Sequence, residues 1–255
     1  MRSTTQAGTV LLTESAKDDP EIVARIWKHL NDGKTIIVTS GLLKALQGKG
    51  IEKVAEIEYT RGTVPVNKFS YREVMDSEPS GIYFSDTEIP IPELAYGLVD
   101  AEEIAQGVYK DNDRYSMLLQ IRGLAKGKFY VLTIPESFDD LYHLPQPILS
   151  QIRRDLMDDV PVYLDSPAKI CLFTYANNSF IVKSYLPFAA RGSIVVKRPG
   201  ARLTDLVSGR ELSGYTKGGR SLPGTGGRWR PSPRRAARSR RSRRSSRARP
   251  RSARR

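Results

Sequence analysis

The chain is poor in the residues that most often carry metal and redox chemistry. Cys171 is its single cysteine, and His29 and His143 are its two histidines. One cysteine excludes an internal disulfide. Two histidines beside it leave no zinc site of the Cys/His type. Long apolar runs are missing too. The longest, such as 35–38 and Leu42-Leu43, fall far short of the roughly 18–20 residues of a membrane span, and 10–12 is too short for a signal-peptide core. No Gly-rich phosphate loop or EF-hand pattern is present. No metal, cofactor or membrane is therefore expected. The compartment expected by default is cytoplasmic, with a secreted parent as the alternative.

Acidic residues are missing from one end only. All 28 lie before Gly214, together with 25 of the 41 basic residues, whereas 214–255 holds 16 basic residues and no acidic one. The body is thus −3 and the tail +16, which gives the whole chain its +13. With Tyr215, Leu222 and Trp229 as its large apolar residues, the tail cannot offset its ordering entropy and is expected to be disordered. Its arginine runs, Arg240, Arg241, Arg243 and Arg244, are candidates to neutralise nucleic-acid phosphates. Arg, Ala, Gly, Pro and Ser with an abrupt onset are also what GC-rich DNA encodes out of frame. A misread end is the preferred expectation.

The body, at 39% hydrophobic residues for the whole chain, can build a core. Residues 8–12 form a short apolar strand. Asp18 and Asp19 before Pro20 predict a helix start, and Ile22, Val23, Ile26, Trp27 and Leu30 make one helical stripe that Gly33 ends. Residues 35–39 read as a fully buried strand, as in a parallel sheet. Ser40-Gly41 turns into a helix over 42–46, and 54–59 reads as the next strand. This order predicts an α/β, doubly wound sheet. Residues 60–113 look irregular, with 89–92 extended around two prolines. Strands at 115–121 and 128–134 form a hairpin, and 145–158 reads as a helix. From Pro161 the pattern turns to short strands at 162–164, 169–175, 179–186, 193–197 and 202–207, which suggests a small β-sandwich. The expected organisation is 1–160, 161–213 and the tail, 214–255.

Ligands of parallel sheets bind beyond the carboxyl ends of the strands. Glu14, Ser40 and Gly41 hold those positions here, and the amides of Gly41 and Leu42 would offer an anion site. Ser40 at a strand–helix turn is the one candidate nucleophile, with Glu14 or His29 as its base. The motif is not G-x-S-x-G, however, and a capping role for Ser40 is preferred. The carboxylate pairs Asp18/Asp19, Glu102/Glu103, Asp139/Asp140 and Asp158/Asp159 are adjacent in sequence. Neighbouring side chains diverge in helices and strands alike, so these pairs suit helix ends and turns better than the paired acids of a glycosidase. Cys171, among apolar neighbours, is expected to be buried and inert. Phe129, Tyr130, Tyr142, Phe173 and Tyr175 could stack on sugar rings, but core packing is the expected use.

Two stretches together carry a resemblance. Gly33-Lys-Thr-Ile-Ile-Val-Thr-Ser-Gly41, after its amphipathic helix, resembles the class I glutamine-amidotransferase-like, flavodoxin-type domain that follows the catalytic barrel in some glycoside hydrolases, as in β-galactosidases with a trimerisation domain. The segments 127–135, 140–145 and 172–178 resemble the C-terminal half of large bacterial proteins of this sort, and 201–209 resembles the closing sandwich strand of many glycosidases. True amidotransferases have a cysteine nucleophile at the strand–helix turn; Ser40 stands there in this chain. The resemblance therefore implies fold and context rather than amidotransfer, with any sugar-cleaving barrel upstream. The leading expectation is a non-catalytic accessory or oligomerisation fragment of a carbohydrate-active, glycoside-hydrolase-like protein. Its expected partners are further copies of itself, the upstream catalytic domain or carbohydrate. The alternatives are a nucleic-acid-binding protein acting through its tail and a small serine hydrolase using Ser40.

Overall fold

In the computed structural model the described residues are 8–72, 81–97, 99–110, 113–123, 125–157, 159–198, 201–212, 214–215 and 225–229. Strand β1 (Thr9–Leu12) runs through a 3₁₀ turn at Glu14–Asp18 into helix α1 (Ile22–Asn31). The helix starts later than Pro20 suggests, because Asp19 accepts the Glu21 amide at 3.0 Å and holds a bend there. Ile22, Ile26 and Leu30 are buried along one face, while Trp27 sits half-exposed at the stripe's edge. Gly33, at φ 83, turns the chain back. Strand β2 (Thr35–Thr39) then lies parallel to β1, with Thr9 facing Thr35, and helix α2 (Ser40–Leu46) follows it directly.

Beyond α2 the chain departs from a doubly wound order. Strands β3 (Ile57–Tyr71), β4 (Tyr83–Tyr96), β5 (Ala101–Val108), β6 (Arg114–Ile121) and β7 (Lys128–Leu132) complete a seven-stranded sheet of order β1-β2-β7-β6-β5-β3-β4. Only β1/β2 and β2/β7 are parallel; the other neighbours are antiparallel. The fold is thus α/β with a mixed sheet rather than an all-parallel one. Parallel neighbours need crossovers of a dozen residues or more, and the links at 97–100, 109–113 and 122–127 are too short to supply them.

The stretch expected to be irregular is the long β3–β4 ribbon. Its prolines hid it, yet they fit. Pro65 faces Pro90, and Thr63 faces Pro92. Opposed prolines are compatible only with pairs that exchange no ladder bonds, so nothing is lost between the strands. The ribbon folds onto β5 at Gly107, where an added Cβ would lie 2.8 Å from Val66 Cγ2 and 2.9 Å from Ile91 Cδ1. One core lies under α1 and α2, around Ile36, Val38, Leu42, Phe129 and Val131. The other face buries Phe69, Ile89, Met117 and Tyr130 beneath Ile148 and Ile152 of helix α3 (Gln146–Leu156).

The remaining strands are β8 (Val162–Asp165), β9 (Ile170–Thr174), β10 (Phe180–Ser184), β11 (Gly192–Val196), β12 (Leu203–Thr204), β13 (Glu211–Leu212), β14 (Gly214–Tyr215) and β15 (Thr225–Trp229). They form a four-stranded sheet, β14-β15-β11-β8, and two small pairs, β9/β10 and β12/β13. Val162, Leu164, Ile170, Ile194 and Val196 are their common core. Strand β15 lies beyond Ser213, the position after which the tail was expected to start, with Thr225 facing Val196 and Trp229 facing Gly192. Backbone pairing needs no large side chains, so a glycine-rich segment that cannot build a core can still extend a sheet. The body and this region are tied through α3. Asp165 accepts from Gln146 and Ser150, and Arg153 donates to the Ser166 and Ile170 carbonyls.

Candidate functional site

The carboxyl ends of β1, β2 and β7 meet at a cleft of about 480 Å³. Glu14, Ser40 and Gly41 all line it, joined by Lys44 and Tyr59, and by Glu136 and Phe138 from beyond β7. The parallel core of the sheet therefore brings the three expected residues together. Glu136 and Phe138 were not anticipated. The same strand-end rule would have found them had β7 been recognised as a parallel neighbour of β2 rather than half of a hairpin alone.

Ser40 is 1% exposed. Its Oγ accepts the Ile134 amide at 3.0 Å and donates to the Ile134 carbonyl at 3.3 Å. The hydroxyl thus clamps the end of β2 to the end of β7. His29 cannot serve as its base. It lies at the opposite end of β2, where its carbonyl accepts the Lys34 amide at 3.0 Å. Cys171 is half-buried on β9, facing Lys183 of the neighbouring strand, far in sequence from this turn.

Protein groups already stand beside the expected anion site at Gly41 and Leu42. The Leu42 amide is capped by Thr39 Oγ1 at 3.4 Å, and a Cβ on Gly41 would stand 3.2 Å from Glu14 Oε2. With α2 only seven residues long, there is also little dipole to draw a second anion. Lys17 Nζ hydrogen-bonds Glu14 Oε1 at 2.7 Å. That bond, and then the ammonium charge, hold the Glu14 carboxyl below its usual range, with a smaller push from Lys44. Lys17 is raised in turn. The Lys44 ammonium lies 4.9 Å from the centre of the Tyr59 ring.

The adjacent carboxylates separate as their geometry requires. Glu102 pairs with Arg122, while Glu103 accepts the Tyr96 hydroxyl at 2.5 Å. Asp19 pairs with Arg25, and Asp159 accepts from Thr9; Asp158 lies outside the described residues. Phe129 and Tyr130 are buried as expected, but Tyr142, Phe173 and Tyr175 are not: they stand about half exposed, Tyr142 in the 3₁₀ segment after β7 and the other two on or just past β9. Among the described residues no group of three or more His, Cys, Asp or Glu could hold a metal, and no helix is long and apolar enough to cross a membrane. Arg240, Arg241, Arg243 and Arg244 lie outside the described residues.

The matched families assign the class. Residues 161–239 match the model described as "probable glycosyl hydrolase, C-terminal domain", so the chain is glycoside-hydrolase-like; the match continues past Ser213, as the strand pairing does. Residues 1–137, more than half of the chain, match the model of the uncharacterized protein SSO3021, second domain, and the chain belongs to that family. Among solved structures, a β-galactosidase from Bacillus circulans sp. alkalophilus is 13% identical, with a TM-score of 0.41 over 86% of this chain and 30% of that one. A catalytic mutant of Gan42B, a GH42 β-galactosidase from G. stearothermophilus, is 12% identical, with a TM-score of 0.40 over 88% of this chain and 32% of that one. The cytoplasmic protein STM1381 from Salmonella typhimurium LT2 is 10% identical, with a TM-score of 0.36 over 51% of this chain and 61% of that one. The chain thus spans about a third of the length of the two β-galactosidases. No curated protein matches it in sequence.

Proposed function

We propose that this chain is a non-catalytic accessory part of a carbohydrate-active, glycoside-hydrolase-like protein, which assembles with further copies or shapes a neighbouring active site. The observation that carries this reading is the state of the one candidate nucleophile. Ser40 Oγ is buried and engaged as both donor and acceptor by the Ile134 backbone, and no imidazole is among the residues lining its cleft. Glycoside hydrolysis would instead need a carboxylic acid kept protonated by its surroundings. Glu14, paired with Lys17, is pushed the opposite way. The amidotransferase-like resemblance of 33–41 is compatible with this reading, since Ser40 stands at the strand–helix turn where that family has its cysteine nucleophile.

Two measurements test the reading. The chain alone should not hydrolyse a panel of aryl-glycosides above the uncatalysed rate. Turnover that disappears on Glu14→Gln or Ser40→Ala would overturn the proposal. Sedimentation of the full chain should show self-association; a monomer at all concentrations would remove the oligomerisation half and leave only the shaping role.

A further inference from the structure

We infer that the cleft at the carboxyl ends of β1, β2 and β7 binds a neutral sugar, held against Phe138 and between Glu14 and Glu136. This rests on the carbohydrate-active reading above and adds a ligand class and a site to it.

The first observation is Phe138, 70% exposed on the cleft wall. It opens the 3₁₀ segment Phe138–His143, just beyond the buried Pro135. A ring so placed offers a flat apolar face to the C–H side of a pyranose, while its edges leave the sugar's hydroxyls in water or against polar groups. The second observation is what stands around it. Glu14 and Glu136 supply carboxylate oxygens, which accept from hydroxyls. Thr13 and Ser15 add hydroxyls, with their Oγ atoms 2.9 Å apart. Lys44 supplies a donor.

Charge then selects among ligand classes. The two cleft carboxylates are matched by the ammonium groups of Lys44 and of Lys17, the latter bonded to Glu14. An anionic ligand would meet Glu14 and Glu136, and a cationic one would meet Lys44. A neutral polyol meets neither penalty and can use every donor and acceptor present. The cleft volume of about 480 Å³ falls within the range of small-molecule sites.

The test is amide-shift NMR on the full chain. The probes are methyl β-D-galactopyranoside and methyl β-D-glucopyranoside, with glucuronate as the anionic comparison and glucosamine as the cationic one. The neutral glycosides should shift the amides of Glu14, Gly41 and Glu136 with a millimolar dissociation constant. Phe138→Ala should weaken binding about fivefold to tenfold, and Glu136→Gln should weaken it about threefold. Both residues are exposed, so both variants should keep the parent's melting curve. Absence of shifts with either neutral glycoside, binding unchanged in Phe138→Ala, or preference for glucuronate or glucosamine would overturn the inference. Failure here leaves the accessory reading standing. Aryl-glycoside turnover would remove that reading without touching sugar binding.

Discussion

Gly127 is the position at which one added methyl group should cost most. It precedes β7, and a Cβ built on it would lie 2.1 Å from the Lys34 carbonyl oxygen and 2.9 Å from that of Leu30. Real Cβ atoms essentially never come closer than 3.0 Å, so the main chain must separate by about 1 Å. Both neighbours are backbone, and no rotamer change can relieve them. The displacement strikes two hydrogen bonds that dock β7 onto the α1–β2 turn: Gly127 N–H to Leu30 O at 2.8 Å and Lys128 N–H to Lys34 O at 3.3 Å. Losing both costs about 2 kcal/mol, and the overpacking adds about 1–3 kcal/mol. Gly127→Ala should therefore lose about 3–5 kcal/mol, or roughly 6–20 °C in Tm for a chain of this size. Urea unfolding followed by circular dichroism measures this directly. Gly123→Ala is the control: its φ of 75 is left-handed, but nothing lies within 4 Å of the added Cβ, so it should lose only about 1 kcal/mol. A Gly127→Ala loss below about 1 kcal/mol, or one equal to that of Gly123→Ala, would refute the steric argument.

Three further outcomes follow from contacts already described. Ser40→Ala strips both bonds from the Ile134 backbone and should cost about 1–3 kcal/mol in chemical unfolding; a serine-reactive fluorophosphonate should leave the folded wild type unlabelled. Arg153→Met removes the donors to the Ser166 and Ile170 carbonyls and should split one calorimetric transition into two, as the β8–β15 region uncouples from the main sheet; a single, unshifted transition would contradict the tie. Glu14, Asp32, Glu52 and Asp205 all have carboxyls lowered by hydrogen bonds, from Lys17, Lys28, the Gly48 amide and Ser208 respectively. Depressed carboxyls stabilise the fold above the ordinary carboxylate range of about 4–4.5, and the contribution is lost as pH falls through their folded values. The urea midpoint should thus be flat from pH 7 to 5 and fall below pH 4; a midpoint rising on acidification would reverse the sign.

The sequence showed the parallel centre of the sheet more clearly than its antiparallel wing, for a physical reason. Residues 35–39 are apolar on both faces, and their neighbours carry capping and stop signals, so β2, α1 and the strand-end position of Ser40 could all be read. The ribbon β3–β4 alternates charged residues with apolar ones and carries Pro65, Pro90 and Pro92, which local rules count against a strand. Only the pairing, Pro65 against Pro90, makes them harmless, and pairing is not a local property. The parallel contact of β7 with β2 was hidden in the same way, and with it Glu136 and Phe138. Beyond Ser213, composition masked β15 because a strand held by its backbone leaves little trace in side-chain chemistry.

The proline-bearing strand has a consequence for how copies could meet. β4 is one open edge of the seven-stranded sheet and β1 is the other. Because Pro90 and Pro92 sit at pairs that make no bonds to β3, their imide nitrogens point outward, where an incoming strand would need donors. Two successive gaps in that outward row block templated growth along β4. The β1 edge is only four residues long. Among the described residues, the seven-stranded sheet therefore resists edge-to-edge pairing along Pro90–Pro92 and at β1, and copies of the chain would meet there through side-chain faces instead of a shared backbone ladder.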